Sequence, residues 1–110
     1  MSLLHPEHLA RLGLTEARLE AWCRKWKVVE LAFFGSVLRD DFRPDSDVDV
    51  LVCFAADSRW SLFDLAAIVG DLEQVLGRRV DLLTRRGVEQ SRNPLRREEI
   101  LQTAQVIYAA

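Results

Sequence analysis

Two periods of apolar residues divide the chain. Leu19, Trp22, Cys23 and Trp26 recur at i, i+3, i+4 and i+7, which predicts one face of a helix. Thr15 suits its N-cap, with Leu14 and Leu19 placed as a hydrophobic staple across it. Both tryptophans lie on the apolar face, which favours core over a ligand platform. A shorter helix is expected over 6–12, with Pro6 at its first position and Gly13 after its end. From Val28 to Phe34 the apolar run is continuous and predicts a strand buried on both faces. Gly35-Ser36 breaks it, with Ser36 as the cap of a short helix reaching Asp40 or Asp41. Pro44-Asp45-Ser46 is a turn signature.

A second strand is expected from Asp47 to Phe54. Its period of two puts Asp47, Asp49 and Leu51 on one face and Val48, Val50 and Val52 on the other. Residues 55–60 read as loop. Ser61 with Asp64 three positions on is a capping box that opens a long helix. Leu65, Ile68, Val69, Leu72, Val75 and Leu76 line its buried face, and Gly77 stops it. Arg79-Val80-Asp81-Leu82-Leu83 predicts a third strand. Residues 85–93 read as a polar connection, and Leu95 to Thr103 as a helix with Pro94 in its first turn. Gln105 to Tyr108 suits a short edge strand. Taken in order, these elements predict an α+β fold, a three- to four-stranded mixed sheet packed against helices.

A chain of 110 residues makes one domain, and 49% apolar residues suit a folded chain rather than a disordered one. The net charge of −2 sets up no global field for nucleic acid or anionic membrane. The charge is unevenly spread, however. Five aspartates fall between positions 40 and 49, while Arg78, Arg79, Arg85, Arg86, Arg92, Arg96 and Arg97 crowd the last third. That division suits a metal beside an anionic ligand. Cys23 and Cys53 have no metal-ligand spacing and read as small buried hydrophobes without a disulfide. The N-terminus lacks the features of a signal peptide, and no apolar run approaches a membrane span. The expectation is a cytoplasmic protein with no membrane contact. His5 and His8 lie away from the motifs.

Asp47 and Asp49 point at one spot if they share a strand face. Two unpaired carboxylates there would repel until one took a proton. A hard divalent cation relieves this, and Mg²⁺ keeps positions open for substrate phosphates. Two such ions about 3.5–4 Å apart would stabilise both the attacking and the leaving oxygen of an in-line displacement. Asp81 is the lone charge within Val80–Leu83. It is either a third carboxylate, a base for an incoming hydroxyl, or a strand-edge acid paired with Arg79 or Arg85. Gly35-Ser36 removes side-chain bulk where backbone must approach a phosphate and adds a hydroxyl donor. No Gly-Lys-Ser/Thr follows, so this is not a Walker loop.

Together Gly35-Ser36-x-x-Arg39-x-Asp41 and Ser46-Asp47-x-Asp49-Val50-Leu51-Val52 resemble the signature of the minimal nucleotidyltransferases (MNT domains) of the DNA polymerase β-like superfamily. The likeness runs on through Val80-Asp81-Leu82-Leu83, the helix Arg96-Arg97-Glu98-Glu99-Ile100-Leu101 and the end Val106-Ile107-Tyr108. The resemblance implies one such domain over 1–110, with 1–13 as an N-terminal extension and 28–110 as the homologous core. It implies the polymerase β-like fold, Asp47 and Asp49 as catalytic metal ligands, and Asp81 as a base-like third ligand. Gly35 and Ser36 match the nucleotide-phosphate turn. Arg39 matches a position that either steadies the phosphates or pairs with a nearby Asp. Many members have Gly where Asp40 stands, which bears on the shape of the turn.

By the same resemblance the cofactors are Mg²⁺, two ions, with ATP as donor. The partner is a HEPN-domain RNase toxin. The activity is transfer of AMP to a toxin tyrosine, which makes the protein an antitoxin. Two alternatives differ in class: a non-catalytic antitoxin that occludes its partner, and nucleotidyl transfer to a small molecule, for which a homo-oligomer would have to complete the pocket.

Overall fold

The computed structural model describes residues 2–3, 16–38 and 46–110. The elements are β1 (Ser2–Leu3), α1 (Glu16–Lys25), β2 (Val28–Phe34), a 3-10 turn (Gly35–Leu38), β3 (Val48–Phe54), α2 (Leu62–Leu76), β4 (Val80–Thr84), α3 (Arg85–Glu89), α4 (Pro94–Thr103) and β5 (Gln105–Ala109). The helix expected over 6–12, the Thr15 cap and the turn at Pro44 lie outside the described residues.

The sheet runs β1-β5-β2-β3-β4. It is mixed: β3 and β4 are parallel, and the other neighbours are antiparallel. The expected three- to four-stranded mixed sheet is present, with the two-residue β1 added at one edge. One strand changes place. Residues 105–108 were expected at an edge, yet β5 lies between β1 and β2, with Ile107 and Tyr108 buried. The far edge belongs to β4. A second correction concerns 85–93, expected as a polar connection. Arg85–Glu89 is helical because the Thr84 hydroxyl accepts from the Gly87 N–H and Val88 is buried beneath it.

Parallel neighbours need a long crossover, and α2 supplies it between β3 and β4. Its ends follow local chemistry. The Ser61 hydroxyl accepts from the Asp64 N–H and the Asp64 carboxylate from the Ser61 N–H, closing the capping box. Gly77 ends the helix at φ 70°, the left-handed region that glycine enters most cheaply.

On one face of the sheet, Leu31, Phe33, Val48, Val50 and Val52 pack against Leu19, Trp22 and Cys23 of α1 and Ile68 and Leu72 of α2. Trp22 of α1 and Trp26 just after it both serve this core. The Trp22 indole donates to the Ile68 carbonyl at 3.3 Å and the Trp26 indole to the Asp71 carboxylate at 2.9 Å. Those contacts pin α1 to α2. The Trp26 hydrogen bond, helped by Lys25 at 3.1 Å, holds the Asp71 carboxyl below its ordinary range. Burial, with Glu20 nearby, pushes the Cys23 thiol up to about 12, so it stays a neutral hydrophobe. Both cysteines are free thiols, but only Cys23 is buried as expected; Cys53, on the β3 face away from the larger core, is half-buried. On the opposite face a smaller cluster joins Ala32, Phe34 and Leu51 to Val88 of α3 and Ile100 of α4. No described helix is long and apolar enough to cross a membrane.

Candidate functional site

The alternation of β3 decides where its aspartates point. Val48, Val50 and Val52 are fully buried on the α1–α2 face, so Asp49 and Leu51 must turn to the α3–α4 face. Leu51 is buried in the smaller cluster. Asp49, nearer the start of the strand, is half-buried at that cluster's margin. Asp47 stands exposed just before β3 begins.

β4 brings the third carboxylate. Its parallel register with β3 sets Asp49 opposite Asp81 and Val48 opposite Val80. The Val48 N–H donates to the Arg79 carbonyl at 2.9 Å, which fixes that register at its first rung. Neighbouring strands lie about 4.8 Å apart, so the two aspartates sit side by side on one face. Asp81 is exposed. It is not the partner of a flanking arginine. Arg85 instead bridges Glu30 at 3.2 Å and Glu89 at 4.0 Å, and no ion pair ties Asp81 to Arg79 or Arg85 among the described residues.

Gly35 joins the turn to this pair. Its φ of 74° lies in the left-handed region, and a Cβ built there would collide with the Asp49 carboxylate, 3.1 Å from its Cγ. Only a residue without a side chain lets the end of β2 turn while Asp49 keeps its place. Ser36 follows in the same 3-10 turn. Arg39, Asp40, Asp41 and Asp45 lie outside the described residues.

Gly35, Leu38 and Asp49 line a cleft of about 500 Å³ whose other wall is α4, through Arg96, Glu99 and Thr103. Sequence reasoning assigned no site role to these α4 residues. The available signal was spacing: 96, 99 and 103 share one helix face, and Ile100 of the same face is buried against the sheet. The cleft therefore has an acidic floor at Asp49 and an arginine on its wall.

Among the described residues, no three His, Cys, Asp or Glu side chains converge as a ready metal cage. Asp49 and Asp81 in register, with Asp47 two residues before Asp49, offer carboxylate oxygens along one edge. That donor set fits Mg²⁺, which takes one or two carboxylates and completes its shell with water and phosphate oxygens.

The nucleotidyltransferase domain family model matches residues 17–107. A solved structure of a putative minimal nucleotidyltransferase is 37% identical, has a TM-score of 0.63, and covers 96% of this chain and 95% of its own. Two similar proteins of Methanocaldococcus jannaschii are both named putative protein adenylyltransferase. One is 38% identical over 80 residues, which is 73% of this chain and 80% of that protein. The other is 34% identical over 64 residues, 58% of this chain and 64% of that protein, so the match spans a little under two thirds of it. A crystal structure of a toxin–antitoxin with AMP-PNP shares the fold, with a TM-score of 0.67 at 21% identity over 88% of this chain and 75% of its own. With the family model spanning both sheet faces and the α4 wall of the cleft, the chain belongs to the nucleotidyltransferase domain family, in its minimal α+β form.

Proposed function

We propose that the protein transfers AMP from ATP to a tyrosine hydroxyl of a HEPN-type RNase toxin and so acts as its antitoxin in the cytoplasm. The observation that carries the chemistry is the in-register pairing of Asp49 with Asp81, with Gly35 folded tightly against the Asp49 carboxylate. Similarity to proteins named protein adenylyltransferase supports a protein acceptor. The HEPN partner is carried by the family resemblance.

In this reading one domain over 1–110 holds the whole site. The triphosphate lies against the backbone of Gly35 and Ser36, with Arg39 steadying it. Asp47, Asp49 and Asp81 are the ligands for Mg²⁺, which, when bound, neutralises phosphate charge and stabilises the oxygens of an in-line displacement. Asp81 takes the proton from the tyrosine hydroxyl. The freed oxygen attacks the α-phosphorus, the bond to the bridging oxygen of the β-phosphate breaks, and pyrophosphate leaves.

The test is incubation with α-labelled ATP, Mg²⁺ and the product of the adjacent gene. Label on a tyrosine of that product is expected, and Asp47→Asn with Asp49→Asn should remove it. A doubly substituted protein that still protects cells from the toxin would show instead that occlusion suffices.

A further inference from the structure

The free edge of β4 opens into a groove of about 740 Å³ between α2 and the α3–α4 pair. It is larger than the Asp49 cleft and shares the Arg96 and Ile100 side chains with it as lining. Its walls are mainly apolar, with Leu65 and Val69 of α2 facing Leu82 of β4. Leu62, on the same helix face as Leu65 and Ala66, is 84% exposed.

The main chain of this edge is only partly occupied. In the parallel ladder Arg79 and Asp81 turn their backbone groups toward β3, so Val80 and Leu82 turn theirs outward. The Val80 N–H is taken by the Glu73 carboxylate at 3.0 Å. The N–H and C=O of Leu82, a residue that lines the groove, therefore face outward from the sheet edge, and no described strand covers them. Open edges of this kind pair readily with another chain.

Gly70 is a second, independent sign. It sits in the interior of α2 and lines the groove, where glycine weakens a helix relative to alanine. Among the described residues nothing requires it, since a Cβ there would meet none of their atoms within 4 Å. A bare position facing an open edge leaves room for an incoming backbone. The groove is also basic. Arg96 and Arg97 stand on its α4 wall, Arg97 also donating to the Ser91 carbonyl at 3.3 Å, while Glu73, its one acid among the described residues, is engaged by β4.

We propose that the β4 edge docks an extended acidic segment of the acceptor protein as an added strand. This rests on the reading of a protein acceptor and deepens it. Main-chain bonds to Leu82 supply pairing, apolar side chains enter between α2 and β4, and carboxylates meet Arg96 and Arg97. A strand held beside Leu82 carries a neighbouring hydroxyl to Asp81, the adjacent residue.

The test uses the full chain, ¹⁵N-labelled, and a short peptide of alternating valine and glutamate around one tyrosine, with a lysine-for-glutamate control. Binding of the glutamate peptide should slow amide exchange at Leu82 by roughly tenfold or more. Gly70→Gln and Gly70→Glu should weaken that binding by about tenfold or more, the second further, with an unchanged or higher Tm. Equal binding of both peptides, no protection at Leu82, or full binding by the Gly70 variants would overturn the proposal. So would a self-association lost in Gly70→Glu, which would make a second copy of this chain the occupant. The labelling assay separates the two readings. Acceptor labelling unaffected by Gly70→Glu sinks the docking edge and leaves transfer standing. Peptide docking without any labelled protein sinks the transfer reading and leaves the edge.

Discussion

On the α1–α2 face of the sheet, Trp22, Phe33, Val50 and Ile68 are almost wholly withdrawn from water, and each tryptophan N–H has a partner. On the α3–α4 face the apolar cluster holds five buried residues and gives out where Asp49 begins, beside the exposed Asp81. The same strand, β3, serves both: its valines build one face, and Asp49 and Leu51 lie on the other. Stability is thereby concentrated where no chemistry is expected. The working face can keep like charges together because the opposite face offsets their repulsion.

Exchanging the roles of the two faces breaks this comparison most sharply. Asp49→Asn should lower nucleotide transfer by roughly 10³-fold while leaving the Tm within a few degrees. Trp22→Ala should do the reverse, costing about 3–5 kcal/mol in denaturant unfolding with transfer per folded molecule retained. A large Tm loss in the first, or a catalytic loss in the folded second, would mean that the faces are not separable.

Gly35→Ala sharpens the boundary between them. It adds a side chain in a left-handed conformation and displaces the Asp49 carboxylate. A cost of about 1–3 kcal/mol together with a fall in transfer on the order of 10²-fold is expected, a joint loss that neither earlier variant shows. Calorimetry and the labelling assay on one preparation would read both.

Ser61→Ala is the smallest perturbation and the control. Removing the capping box of α2 should cost about 1 kcal/mol and leave transfer at its starting rate. A catalytic effect would place α2 closer to the chemistry than its packing indicates.

Much of the fold could be read from local signals. Ser61 with Asp64 and Gly77 bound α2 correctly because caps act within one turn. The β3 alternation was legible because Val48, Val50 and Val52 leave Asp49 only one face. What escaped depended on distant partners. The five residues of α3 looked polar, and beside the local Thr84 cap their helix needs Val88 buried with Ala32, Phe34 and Leu51 of the sheet. The position of β5 inside the sheet depends on two residues at the far end of the chain, Ser2 and Leu3, which carry no strand pattern. Within the site, the acidic residues and Gly35 stood out by type and spacing. Arg96 and Glu99 did not, since an arginine or glutamate on a helix gains meaning only once that helix is laid against the sheet.

Asp49 and Asp81 are separated in the chain by the whole of α2 and meet only when β4 has joined β3. During synthesis, then, a nascent chain can hold the glycine turn and the first two aspartates well before it holds a third. Under the proposed role of Asp81, transfer would wait for a late strand-docking event rather than for the emergence of the chain's most recognisable residues. An edge that frays in the finished protein would, by the same logic, throttle the reaction without unfolding the rest.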